Sequence, residues 1–145
     1  MAELLDLYGR TTKAVRAATD AALGRHGLRL GQDHLLAQLW DKDGRTPGEV
    51  AAGMGVTTPA VTKGATVLER AGLLERRPDP TDRRLVRLWL TETGEALREP
   101  VERARREVEE ALLSGLGPRE VTQFRRLLEK VQHAAVGLSA PEGTG

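Results

Sequence analysis

Residues 46–72 read TPGEVAAGMGVTTPAVTKGATVLERAG, and two helix starts lie inside them. Thr46 suits an N-cap, Pro47 the first helical position, and Glu49 completes a capping box. Gly55 stops this helix just after Met54. Thr58 and Pro59 repeat the signal, with Thr58 as cap, and a second helix runs from Pro59 to about Ala71. Two helices joined by a short, glycine-bearing turn predict a helix-turn-helix. Ala51 is small enough for a close crossing, and Gly55 sits where the turn needs positive φ. Val61 and Leu68 then face inward. The outer face carries Thr58, Pro59, Ala60, Thr62, Lys63 and Thr66, with Thr57 in the turn. Small and hydroxyl side chains let a helix enter a major groove. Thr and Lys there can reach base edges or phosphates. Gly64 costs about 1 kcal/mol against Ala in mid-helix and marks a close approach, to DNA or to another helix. A tight helix pair alone is equally a core device.

Downstream the period changes. Residues 73–77 (LLERR) and 85–90 (LVRLWL) predict two antiparallel strands around a turn-rich Pro78-Asp79-Pro80-Thr81-Asp82 loop. Arg76, Arg77, Arg83, Arg84 and Arg87 lie on this hairpin, opposed by Glu75, Asp79 and Asp82. A basic hairpin directly after a helix-turn-helix reads as a wing that reaches phosphate or a minor groove. Asp82, two residues before Arg84, is placed to orient its guanidinium.

Working outward, residues 3–25 predict an amphipathic helix with Leu4, Leu5, Tyr8, Val15, Ala22 and Leu23 on one side. A second helix spans about Gln32 to Trp40. After Thr91 the chain is helical again, with Pro100 expected to kink the helix or delay its start. Ser114 to Pro118 is a break. A last helix carries Val121, Phe124, Leu127, Leu128 and Val131, before a tail over 139–145 expected to be flexible.

Composition narrows the function classes. The 145 residues carry 22 Lys+Arg against 21 Asp+Glu, a net charge of +1, so the wing is basic in a nearly neutral chain. There is no cysteine, which removes disulfides, thiolate metal sites and thiol chemistry. Aromatics are 3%, too few for a platform that stacks single-stranded bases. No membrane span or secretory leader is expected, and the chain reads as cytoplasmic. Three His without a carboxylate pattern predict no metal site, and no phosphate loop or nucleophile–base pair is evident. No enzyme and no cofactor are expected.

Five segments together resemble the MarR family of winged-helix transcription regulators: residues 46–51 (TPGEVA), 58–62 (TPAVT), 68–76 (LERAGLLER), 79–84 (DPTDRR) and 90–94 (LTETG). The resemblance implies a mainly α fold with a small antiparallel β-hairpin. This is a winged helix-turn-helix flanked by N- and C-terminal dimerisation helices. It implies one domain over 1–145, with a DNA-binding lobe at 30–92 and dimerisation helices at 1–28 and 93–138. It implies a homodimer on a palindromic operator, held through Leu4, Leu5, Tyr8, Val121, Phe124, Leu127, Leu128 and Val131, whose apolar stripes fit that role. DNA contacts are expected from Thr57, Thr58, Pro59, Ala60, Thr62, Lys63, Thr66, Arg76, Arg77, Asp82, Arg83 and Arg84. The resemblance further implies a repressor released by a small phenolic or amphipathic effector, with Arg16, His26, His34 and Trp40 as candidate contacts. Trp40 is equally placed for the core. The alternative is a winged helix that binds protein without specific DNA binding or effector response.

Overall fold

A computed structural model describes residues 1–139; the expected tail beyond Ser139 lies outside them. Nine elements follow in chain order: α1 (Glu3–Gly24), α2 (Gln32–Asp41), α3 (Pro47–Met54), α4 (Thr58–Arg70), β1 (Leu74–Pro78), β2 (Val86–Leu90), α5 (Glu92–Ala96), α6 (Arg98–Leu113) and α7 (Pro118–Ser139). The chain divides into two compact units, Met1–Val108 and Glu109–Gly145.

The first unit holds the core. α2, α3 and α4 pack together and against the sheet, because each presents an apolar stripe at helical spacing. Leu35, Leu36 and Leu39 of α2 meet Val50 and Ala51 of α3 and Val61, Ala65 and Leu68 of α4. Each fully buried leucine here contributes about 1.5–3 kcal/mol. Gly55 ends α3 at φ 69°, as expected, so α4 starts after only a short turn. Gly64 faces inward: a Cβ there would stand 3.3 Å from Leu35 Cδ1, so the close approach is to α2 and not to DNA.

β1 and β2 pair antiparallel, from Leu74 opposite Leu90 to Pro78 opposite Val86. Leu88 is fully buried, and its main chain also bridges to Arg45, which fixes the sheet to the segment leading into α3. Within β2, Leu88 points into the core, while Val86 is exposed.

Two helix starts differ from expectation. The cap of α4 is Thr57, whose Oγ1 accepts from the Ala60 N–H at 3.3 Å; Thr58 is already helical and Pro59 second in line. Both residues have the chemistry of a cap, and only backbone position separates them. At α3, Thr46 Oγ1 accepts from the Glu49 N–H, but the Glu49 carboxylate lies 3.8 Å from Arg87. The nearby guanidinium draws it toward the hairpin. Pro100 acts as foreseen: α5 ends at Ala96, α6 starts at Arg98, and the proline occupies the first turn, where a missing N–H leaves no bond unmade.

The junction between hairpin and α5 explains the Leu-Thr-Glu-Thr-Gly segment. Thr91 Oγ1 accepts from the Gly94 N–H and donates to the Gly72 carbonyl at 2.6 Å. The Gly94 carbonyl in turn accepts from the Trp40 indole at 3.0 Å.

α1 buries only Leu23, and among the described residues α7 buries none. Leu4, Leu5, Leu7 and Tyr8 of α1 are exposed, as are Phe124, Leu127, Leu128 and Val131 of α7. Among the described residues, no helix is long and apolar enough to cross a membrane.

Candidate nucleic-acid interface

The outward face of α4 follows from its inward one. With Val61, Ala65 and Leu68 buried, Thr58, Pro59, Ala60, Thr62 and Lys63 must be exposed, and they are. Thr66 is half-buried. Its hydroxyl donates to the Thr62 carbonyl at 3.0 Å and accepts from Arg76 at 2.9 Å.

Arg76 departs most from its expected role. Its guanidinium donates to Glu69 at 3.0 Å, to the Thr62 carbonyl at 2.8 Å and to Thr66. Its main-chain N–H also donates to Glu69, at 3.0 Å. With its side chain 25% exposed, Arg76 clamps β1 to α4 and has no free fork for a phosphate. Sequence spacing hides this, because Glu69 and Arg76 meet only once the chain turns back at Gly72. Arg77 pairs with Glu75 and lies 5.5 Å over the Trp89 ring.

The loop between the strands is built around Asp79, which the sequence offers only as a turn residue and one of the acids opposing the hairpin arginines. Its side chain is almost wholly buried. One carboxylate oxygen accepts from the Thr81 N–H and hydroxyl, both at 2.8 Å, and from the Asp82 N–H at 2.9 Å. The other accepts from Arg87 Nε at 2.5 Å. The Arg87 guanidinium beside it holds the Asp79 carboxyl well below the usual carboxylate range. The Thr81 hydroxyl and the Asp82 and Thr81 amides add to this against some burial. Arg87 was grouped with the wing cations, but it is structural: it also donates to the Gly44 carbonyl at 2.9 Å. The signal that finds Asp79 is local, since an Asp before Pro-Thr-Asp suits a side-chain-capped turn.

Because the Asp79 pKa is lowered in the folded state, its contribution to stability is complete above the unfolded value of about 4 and shrinks as pH falls below it. Asp79→Asn is therefore expected to destabilise the protein at pH 6, with a gap to the parent that narrows at pH 3. Denaturant unfolding at the two pH values measures it. A gap that stays constant would mean that the carboxylate charge is not what holds the loop.

At the tip, Arg84 is 92% exposed and Asp82 orients it, accepting from its N–H at 3.1 Å and its Nε at 3.2 Å. Arg83 is exposed and makes no ion pair among the described residues. The structure thus sets a polar helix face and an arginine-tipped hairpin on one lobe.

The four candidate effector contacts do not converge. Trp40 is a core residue, buried with its indole N–H engaged, because its size fills the space beside α5. His34 is exposed and His26 half-buried. Arg16 lines a hollow with Ala17, Asp20, Arg29 and Leu30. Asp20 accepts from the Leu30 N–H at 2.9 Å and from Arg29 at 3.4 Å. The Leu30 amide is the main reason its carboxyl lies below the ordinary range, with Arg29 assisting. Asp20 and Arg29 were missed because the loop after α1 brings them together. No group of three or more metal-ligating side chains comes together among the described residues.

A family model described as MarR family matches residues 28–86. Among solved structures, the S. aureus MepR–DNA complex is 28% identical, with 88% of this chain and 95% of that chain covered and a TM-score of 0.80. A mutant MarR from E. coli complexed with operator DNA is 25% identical over 90% of this chain and 94% of that one, also at 0.80. YusO from Bacillus subtilis is 26% identical over 92% and 95%, at 0.71. The segment that holds α2, the helix-turn-helix and the start of the hairpin's second strand thus matches the MarR family of transcription regulators, and the fold around it is similar to that of the DNA-bound MepR and MarR structures.

Proposed function

We propose that the protein is a homodimeric, sequence-specific DNA-binding repressor that acts in the cytoplasm. α4 enters the major groove and the wing lies over the neighbouring backbone. The observation that carries this is the pairing on one lobe of an exposed face (Thr57, Thr58, Pro59, Ala60, Thr62, Lys63) with Arg84, almost fully exposed and held ready by Asp82. Arg83 and Arg77 add positive charge. The DNA-bound MepR and MarR structures support the same reading. The lobe is assigned to 30–92 and the dimer contacts to the exposed faces of 1–28 and 93–138, giving two reading heads and a palindromic operator.

Selection of bound duplexes from a random library tests it. Two half-sites about one helical turn apart, or a small multiple of that, are the expected result. On the selected duplex, Arg84→Ala is expected to weaken binding about tenfold and to reduce the slope of log affinity against log salt by about one. Binding that is indifferent to salt and to Arg84 would defeat the proposal.

Release by a small effector belongs to the same reading. Arg16, beside the hollow, is the candidate contact for a small phenolic or amphipathic effector, which acts only if it binds the DNA-incompetent state better than the competent one. A screen of phenolic and amphipathic compounds for release of the selected duplex tests it. If none releases the duplex, or if Arg16→Ala leaves release unchanged, the assignment of the hollow fails.

A further inference from the structure

Of the five hairpin arginines, Arg87 is joined to the wing tip by a continuous run of bonds. Its guanidinium is anchored on the Gly44 carbonyl, ahead of α3, and grips one oxygen of Asp79. The other oxygen of Asp79 holds the Asp82 N–H, and the Asp82 carboxylate orients Arg84. Gly44, Arg87, Asp79, Asp82 and Arg84 are thus bonded each to the next. Asp79 is itself almost wholly buried, and Arg87 is 31% exposed against 92% for Arg84.

We infer that Asp79 and Arg87 are positioning residues for DNA binding: they order the wing before DNA arrives, so that Arg84 loses little freedom on contact. An arm ordered in advance avoids the cost of immobilising a loop at the interface. The inference rests on the proposed DNA-binding reading and adds a role for an acidic residue that charge alone would count against binding.

That opposition supplies the test. Removing a negative charge near the phosphates strengthens binding if charge alone matters. Asp79→Asn is expected instead to weaken binding to the selected duplex about tenfold in the parent. In an Arg84→Ala background the same change is expected to have less than about a twofold effect, with no further loss of salt slope. Arg87→Lys, which keeps the charge but not the planar fork, is expected to follow the same pattern more mildly. It also serves where the Asn variant fails to fold by circular dichroism. Tighter or unchanged binding by Asp79→Asn overturns the inference, as does an equal loss in both backgrounds. Amide exchange in the DNA-free protein separates this from failure of the DNA reading. Faster exchange at Thr81, Asp82 and Arg84 in the variant is expected even if no duplex binds, and unchanged exchange overturns the relay.

Discussion

Gly94→Ala is expected to destabilise the protein by about 3 kcal/mol or more. A Cβ on Gly94 would fall on the Leu73 carbonyl oxygen, well inside van der Waals contact, and 3.0 Å from the Leu73 carbonyl carbon. Neither neighbour is a side chain that can swing aside. The Leu73 carbonyl accepts from the Thr91 N–H, and Gly94 itself is pinned through its N–H to Thr91 and its carbonyl to Trp40. Relief must therefore separate α5 from the hairpin and strain the bond to the core tryptophan. Against a total stability of about 5–15 kcal/mol the loss is large, and thermal unfolding is expected to come about 10 °C earlier. Gly64→Ala is the control. Its Cβ would meet only the tip of Leu35, at 3.3 Å, and the helix gains up to about 1 kcal/mol of propensity. Its melting temperature is expected to stay within about 3 °C of the parent. Equal losses at both glycines would mean that the fit between α5 and β1 is not the deciding contact.

Leu127→Glu is expected to dissociate the proposed dimer and, with it, high-affinity DNA binding. Phe124, Leu127, Leu128 and Val131 stand at helical spacing on a 22-residue helix with no buried residue among those described. An apolar stripe of this length needs a partner, and a second copy of the chain is the proposed one. Glu at Leu127 forfeits about 2 kcal/mol of burial and adds a carboxylate that has no partner in an apolar seam. A twofold dimer carries the change twice, so at least about 4 kcal/mol, or roughly a thousandfold in the dimer constant, is expected. Sedimentation should find a folded monomer whose affinity for the palindromic duplex is lower by about 10²–10⁴, the avidity of two linked heads. A variant that remains dimeric would move the interface off α7.

Much of the fold was legible because local chemistry governed it. Thr46-Pro47 and Gly55 bounded α3, the stripe of Val61 and Leu68 set the inner face of α4, and Pro100 separated α5 from α6. The candidate site was legible only where a residue's role follows from near neighbours, as with Asp82 and Arg84, two positions apart.

What the sequence by itself determined was the set of elements, the apolar faces and the presence of a basic hairpin, since helix caps, turn residues and hydrophobic period act within a few residues. Only the tertiary structure decided which of the five arginines are free. Arg76 is used up on Glu69 and α4, and Arg87 on Asp79 and Gly44, across separations of up to 43 residues. It likewise turned Gly64 toward Leu35 and Trp40 toward Gly94. The physical reason is common to all four. A guanidinium, an indole N–H or a missing Cβ takes its role from the partner that folding brings within about 3 Å, and no periodicity along the chain encodes that partner.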